Sequence, residues 1–418
     1  MNSSDLHEDA PVASDHRELN RRLDLYSMSE AIGPGLILWH PNGAMVRHLA
    51  ERFSQDAHLL NGYEFVYTPH VGKAQLWETS GHLANYGDKM FQPMSVEDDP
   101  YYVKPMNCPF HVAIYKSRPR SYRELPKRFA EFGTVYRYEL SGVLHGLTRA
   151  RGFTVDDSHI FCRPDQLQDE IAALLGLVRT WYATFDLKPS FKLSTRPEKS
   201  LGTQEQWDQA EAALYQALAI NALDYKLNPG DGAFYGPKID IDVEDALGRP
   251  WQIATIQVDL TMLPERFQLE YIDADGQPKR PVAIHRAIFG SYERFIGILT
   301  EHFAGAFPTW LAPVQARVIP ISEKHSAYAR SVHERLRAAR LRAELDDRNE
   351  KLGYRIREAQ LRKVPYVLVV GEREAQAGTV SLRHRGGDDL GAQPLDRVVA
   401  DLSREIAARS LALTVGRS

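Results

Sequence analysis

Apolar residues recur at three- and four-residue spacing in several stretches, and each such stretch predicts a helix with one buried face. Gly43 to Leu60 carries Val46, Leu49, Ala50 and Phe53, and Asp165 to Phe185 carries Leu167, Ile171, Leu174, Leu175 and Val178. Phe110 to Lys116, Trp207 to Ile220 and Ser291 to Phe303 read the same way. Between them lie alternating runs that predict strands. Tyr63 to Tyr67 stops at Pro69, which has no N–H for a sheet ladder. The strand that begins near Lys238 and the one from Arg249 to Asp259 look like antiparallel neighbours, and Ala283 to Gly290 leads from strand into helix. Pro93 to Pro100 reads as a loop.

Past Pro308-Thr-Trp-Leu-Ala-Pro313 the rhythm changes to short strands and helices. Strands are expected at Val318 to Ile321, Tyr366 to Val370 and Thr379 to Arg383, and helices at Ala327 to Ala339, Leu352 to Arg362 and Leu395 to Arg409. That pattern is a compact α/β module of ordinary domain size. The expected division is a loose polar tail over residues 1–16, a large domain over 17–313 and a smaller one over 314–418.

Composition narrows the class. With 43% apolar and 25% charged residues the chain is an ordinary soluble globular protein. No apolar run approaches the roughly 18 residues needed to span a membrane, so no membrane partner is expected. The start lacks the basic-then-apolar pattern of a secretory leader. Two cysteines, Cys108 and Cys162, argue against a disulfide framework and for a reducing, cytoplasmic setting. The net charge of −4 hides an asymmetry, since residues 314–418 hold 20 Lys and Arg against 14 Asp and Glu. A basic C-terminal third is a mild hint of a nucleic-acid partner.

Phe129 to Phe161 concentrates groups that need partners. Arg137 and Glu139, two apart, would face one side of an extended strand. A Gly-containing loop with Arg149 and Arg151 follows, then the return Gly152-Phe153-Thr154, then Asp156, Asp157 and His159. Such a hairpin offers cations for phosphates, a carboxylate for an exocyclic amine and a metal-type ligand; taken singly, each residue also reads as a solvated surface charge. Cys108 lies between two prolines at a rigid turn, and a lone cysteine is most often a small buried apolar group. Arg294 stands near the start of a helix expected to begin at a glycine, where free N–H groups favour an anion.

Long stretches carry a family resemblance: MNCPFHV (Met106–Val112), SGVLHGLTRARGFTVDDSHIF (Ser141–Phe161), LSTRPEKSLG (Leu193–Gly202), AFYGPKID (Ala233–Asp240), HRAIFGSYERFIGILTEHFAG (His285–Gly305) and FPTWLAPVQ (Phe307–Gln315). Through them the chain, from about Arg17 onward, resembles the threonyl-tRNA synthetases, a family of class II aminoacyl-tRNA synthetases. The resemblance implies an α+β catalytic domain, an antiparallel sheet flanked by helices, followed by a small α/β anticodon-binding domain. It implies a threonine–tRNA ligase acting on ATP, L-threonine and tRNA(Thr). It implies a homodimer through the first class II motif, here Gly43 to Pro69. One zinc ion per subunit would be held by Cys108, His159 and His285, leaving a tetrahedral ion one position for substrate. Asp157 would take the threonine hydroxyl and Tyr235 would stand near the amino group. Arg137 would bridge the amino-acid carboxylate and the ATP α-phosphate, Glu139 would receive the adenine amine and Phe153 would stack beneath the ring. Arg149 and Arg294 would hold phosphates, with Gln252, Thr255 and Gln257 closing the adenine or ribose side. Lys238 would sit near the leaving group, His82 near the terminal ribose of tRNA, and Mg²⁺ would accompany ATP. Asn349, Glu374 and Arg383 match positions that read anticodon bases.

The sequence also departs from the family. Its core begins almost at once, so no cis-editing of Ser-tRNA is expected. Val155 stands where the family usually has Gln, Ile253 and Ala254 replace the usual Cys-Gly, and Leu263 resembles a one-residue insertion. Neutral drift is one account of these changes. The others are tuned substrate choice, slower transfer or altered inhibitor sensitivity, as in a secondary, inhibitor-resistant copy of the synthetase; a competing function for the whole chain is a paralogue that activates threonine for a non-tRNA acceptor.

Overall fold

A computed structural model describes residues 15–245 and 248–416. The alternating stretches of the large domain form one eight-stranded sheet. In chain order its strands are β1 (Glu64–Phe65), β2 (Lys127–Tyr136), β3 (Gly152–Cys162), β4 (Ser190–Ser194), β5 (Tyr225–Asn228), β6 (Lys238–Glu244), β7 (Pro250–Asp259) and β8 (Val282–Ser291). They lie in the order β5-β4-β6-β7-β8-β3-β2-β1. The interior pairs are antiparallel, including β6 with β7 as the alternation predicts, and only the edge pairs β5/β4 and β1/β2 are parallel.

Alternation decides the two faces of this sheet. Ile160, Ile284, Ile256, Val258, Ile239 and Ile241 point into the main core. There they meet α1 (Pro41–Leu60), α3 (Leu167–Thr184), α4 (Gln204–Ile220) and α5 (Tyr292–His302), with α2 (Cys108–Lys116) packed into a separate cluster. Helix α3 buries Leu167, Ile171, Leu174, Leu175, Val178, Trp181 and Tyr182, the stripe expected from its spacing. The intervening strand residues, several of them polar or charged, are thereby left to the opposite face.

The C-terminal unit holds β9 (Ala316–Pro320), β10 (Ala343–Leu345), β11 (Tyr366–Val370), β12 (Thr379–His384) and β13 (Asp389–Pro394) in the order β10-β9-β11-β12-β13. It has its own core, built from residues such as Val318, Val332, Leu368, Leu382 and Leu402. Among the described residues, no helix is long and apolar enough to cross a membrane.

Several expectations need correction. The ordered chain does not wait for Arg17: Asp15 caps a helix over His16–Leu23, and His16 is buried. The rest of the expected tail, residues 1–14, lies outside the described residues. The expected loop at Pro93 to Pro100 contains a hairpin, Met94–Val96 against Asp99–Val103, whose exposed surface gives no apolar pattern to read. Arg137 and Glu139 fall just past the end of β2, in a turn where Glu139 N–H donates to Arg137 O at 2.9 Å, and do not sit on a strand. Helix α5 begins after Ser291, whose Oγ accepts from Arg294 N–H at 3.0 Å, and not at Gly290. Strands β10 and β13 and a short helix, Glu372–Ala377, were not expected, being too short or too polar to show a period.

Candidate functional site

Sheet register assembles the site. One row across the sheet reads Lys238, Gln257, His285, His159, Phe129, and the next reads Asp240, Thr255, Ala287, Asp157, Glu131. Residues two apart on one strand share a face, so both rows line the side away from the main core. Asp156, one residue off, faces the other way. Its carboxylate accepts from Ile288 N–H and Phe289 N–H, each at 3.0 Å, where β8 leaves the register of β3 between Ala287 and Ser291. Burial pushes the Asp156 carboxyl up to about 7, against the pull of Arg286 and those two N–H groups. The bulge needs Gly290, with φ +63° and Ile253 O only 2.2 Å from where a Cβ would stand. It delivers Ser291 and Arg294 to the cleft.

Cys108, at the start of α2, joins His159 and His285 in a buried cluster whose ligand atoms all lie within 4.8 Å of one another. The two imidazoles face each other, His159 Nε2 to His285 Nδ1, at 3.1 Å. Their remote nitrogens are held elsewhere. His285 Nε2 lies 3.0 Å from Asp259 Oδ2, while His159 Nδ1 lies 2.9 Å from His111 Nδ1, whose Nε2 in turn meets Glu131 Oε2 at 3.1 Å. This arrangement leaves one nitrogen of each ring and the sulfur converging, with the outer hydrogen bonds that orient metal-binding histidines. The donor set fits a zinc-type ion. Burial depresses the His159 imidazole well below its usual value, so it is neutral, as a ligand must be.

Two cavities flank the line Arg137, Val155, Thr255, Ala287, which borders both. The one on the metal-cluster side, about 380 Å³, is walled by His82, Asn107, Cys108, Asp157, Tyr235, Gln257 and His285. Tyr235 donates its hydroxyl proton to Gln257 and lies with its ring centroid 5.0 Å from that of His285, tilted by 35°. Asp157 Oδ2 accepts from Asn107 Nδ2 at 3.0 Å. Buried His82 has Nδ1 at 2.6 Å from Ser80 Oγ and Nε2 at 3.1 Å from Met106 Sδ; burial, helped by Arg137, pushes its pKa down to about 4.

The other cavity, about 340 Å³, holds Arg137, Arg149 and Arg294 with Glu139, Phe153 and Gln252. The Arg137 guanidinium lies 5.0 Å from the Phe153 ring centroid. Arg294 is fixed by Thr148 O at 3.0 Å and Gln252 O at 2.8 Å. Its pKa is lowered by burial and by the charges of Arg149 and Arg137. Three mutually repelling cations in one cleft fit a polyanion. Lys238 is set back from them, its Nζ 2.8 Å from Asp240 Oδ2. Asp240 also takes Gln252 Nε2 at 2.5 Å, which ties β6 to the cavity wall. Val155 borders both cavities and Ile253 the second, whereas Ala254 and Leu263 are wholly buried.

Sequence reasoning did not find Asn107, His111, Glu131, Asp240 or Asp259 as supports of this site. The stretch MNCPFHV contains the first two, but nothing in it says which side they face. The three C-terminal positions lie on separate segments of the smaller unit. Asn349 lines a cavity of about 380 Å³ that also includes Ile321, against which Gly371 and, through it, Glu374 pack. Arg383 pairs with Val367 near the beginning of β11 and is tied to Asp389.

Comparison with known proteins places both units. The family described as tRNA synthetase class II core domain (G, H, P, S and T) matches residues 91–303, and the anticodon-binding domain family matches residues 315–405. A threonine–tRNA ligase of Acidithiobacillus ferrooxidans is 54% identical over 396 residues, which is 94% of this chain and 61% of that protein. One of Magnetococcus marinus is 52% identical over 398 residues, with 95% and 61% covered. The chain thus spans about three fifths of the length of these curated relatives. A crystal structure titled as the RNA-binding domain of threonyl-tRNA synthetase from Cryptosporidium parvum Iowa II superposes with a TM-score of 0.88 at 42% identity, covering 94% of this chain and 98% of that one.

Proposed function

The chain belongs to the threonyl-tRNA synthetase family of class II tRNA synthetases, and from that premise we propose that it is a threonine–tRNA ligase. The observation that carries the proposal is the joining of two cavities at Arg137: three arginines on one side, the Cys108, His159 and His285 cluster on the other. Zinc held by those three groups would supply a Lewis-acid position for the amine and hydroxyl of threonine. Asp157 accepts the hydroxyl, and Tyr235, held by Gln257, stands beside the amine. ATP, taken with Mg²⁺, lies in the other cavity with adenine on Phe153 and its amine toward Glu139, closed in by Gln252 and Thr255.

Arg137 then draws the threonine carboxylate and the α-phosphate together. A carboxylate oxygen forms a bond to the α-phosphorus, the bond from that phosphorus to the bridging oxygen breaks, and pyrophosphate leaves. Arg137, Arg149 and Arg294 offset charge on the phosphates, worth most as it spreads in the transition state. Lys238, restrained by Asp240, serves the leaving side. For transfer, a ribose hydroxyl of tRNA bonds to the carbonyl carbon and AMP departs. Neutral His82 can take the hydroxyl proton in the tautomer whose Nδ1–H donates to Ser80 Oγ, once Nε2 is turned from Met106 Sδ to the substrate.

Exposed Leu59, Leu60 and Tyr67 support a homodimer through Gly43 to Pro69. Asn349, Glu374 and Arg383 are proposed to read anticodon bases. A cytoplasmic location goes with this role. Valine lacks the hydroxyl and leaves Asp157 unmatched, whereas serine lacks one methyl, a difference of about 1–3 kcal/mol, so this chain is proposed to activate serine as well as threonine. Charging of tRNA(Thr) with labelled threonine, serine and valine tests the reading. Absence of threonine-dependent charging would refute it, and adenylate formation without charging would point to another acceptor.

A further inference from the structure

Asn107 closes the extended segment before α2 and is 1% exposed. Its Nδ2 donates to Asp157 Oδ2 at 3.0 Å, and its Oδ1 is buried with no hydrogen-bond partner among the described residues. The amide reaches Asp157 by crossing β2 where that strand has no side chain. A Cβ on Gly133 would stand 2.3 Å from Asn107 Nδ2 and 2.5 Å from its Oδ1. Gly133 has no positive φ, so room is the reason for glycine here, and glycine in a strand interior otherwise weakens the strand. The other polar neighbour of the Asp157 carboxylate, His159 Nδ1, is 4.0 Å away and turned to His111. Among the described residues, Asn107 therefore supplies the one close side-chain donor to a carboxylate that borders the metal-side cavity.

We propose that Asn107 is a specificity-determining positioning residue. Its amide holds Asp157 Oδ2, leaves Oδ1 to accept the β-hydroxyl of the substrate, and Gly133 is the opening that makes this reach possible. The inference rests on the threonine-ligase reading of the same cavity. It assigns selection for a β-hydroxy amino acid to a unit of three residues from three segments, where Asp157 alone would be free to turn.

The test uses the full chain loaded with zinc, and compares Asn107→Ala, Asn107→Asp and Gly133→Ala by threonine calorimetry and by amino-acid-dependent ATP–pyrophosphate exchange. A hydrogen bond to a charged group implies a KM for threonine raised about 10- to 100-fold. The KM for ATP, the zinc content and the unfolding transition should match the unaltered chain. Valine has no hydroxyl to lose, so the preference for threonine over valine should fall by the same factor. Asn107→Asp keeps the shape and replaces the donor with an acceptor, and should be at least as damaging as Asn107→Ala. Gly133→Ala should reproduce the effect from the other side of the contact, and carries the test if the Asn107 variants do not fold.

An unchanged KM for threonine overturns the proposal, as does a KM for ATP that rises in step, or near-normal behaviour of Asn107→Asp, which would reduce Asn107 to packing. If the unaltered chain shows no threonine-dependent exchange, the ligase reading fails and this inference with it. If it shows exchange and the variants match it, this inference alone fails.

Discussion

Asp259→Asn isolates how the imidazole of His285 is aimed. The wild-type carboxylate is fully buried and accepts four hydrogen bonds. Oδ1 takes Thr261 N–H at 3.0 Å and Met262 N–H at 2.7 Å; Oδ2 takes Leu263 N–H at 2.9 Å and His285 Nε2 at 3.0 Å. An asparagine offers one oxygen and one NH₂. Turning the NH₂ toward Thr261 and Met262 would orphan two backbone donors, each worth about 1–3 kcal/mol. Turning it toward Leu263 and His285 orphans one, because His285 can answer by changing tautomer. That tautomer carries its proton on Nδ1, the nitrogen 3.1 Å from His159 Nε2 and the one left for a metal. The expected result is a chain less stable by about 1–3 kcal/mol from the orphaned Leu263 N–H. It should also bind zinc about 10- to 100-fold more weakly, or about 1.4–2.7 kcal/mol. Competition against a chromophoric chelator reads the affinity, and thermal unfolding in excess chelator reads the stability separately. A folded Asp259→Asn chain that holds zinc as tightly as the unaltered one would refute the tautomer argument.

Arg294→Ala should lower threonine-dependent pyrophosphate exchange by about 10²–10³, as loss of a charge-stabilising donor does, while calorimetric threonine binding stays intact; a matching loss of threonine binding would contradict its place in the nucleotide cavity. His58 is depressed well below 6.5, by burial first and Arg286 second. Its folded form refuses a proton that the unfolded chain accepts, so stability is full above about pH 6.5 and falls with pH below it, by up to about 1.4 kcal/mol per unit. Urea unfolding of His58→Leu should show a shallower acid slope, and equal slopes would count against it. Purified chain should favour threonine over serine by only about 10–200-fold, the value of one methyl, and over valine by far more; equal rejection of serine and valine in pyrophosphate exchange would mean the hydroxyl is not what the site reads.

The hairpin around Phe153 was legible because its chemistry is local: arginines, a Gly-containing turn and paired aspartates lie within one short stretch. The helices were legible because burial imposes a period. The division of labour between Asp156 and Asp157 was not, since it depends on which face of β3 looks at the bulge in β8. Asp259 and Glu131 read as ordinary strand charges, and only register shows that they stand behind His285 and His159. His16 looked like the end of a polar tail. In the structure its Nε2 accepts from Leu147 N–H at 3.1 Å and its Nδ1 meets Glu301 at 2.7 Å, so it braces the loop that carries Arg149. Arg383 matched by position in sequence, and only the antiparallel register of β12 against β11 shows that it stands opposite Val367.

The two imidazoles that touch across the cluster are 126 residues apart in the chain, and the sulfur comes earlier still. Synthesis delivers them in that order, from the N-terminus. A growing chain that has released Cys108 and His159 still lacks the third group, and it also lacks β8, the strand on which His285 is carried. On the zinc reading proposed above, a chain stalled before β8 offers only two of the three ligands and should hold the ion poorly. Loading can begin once β8 has been made, while the C-terminal unit is still to follow.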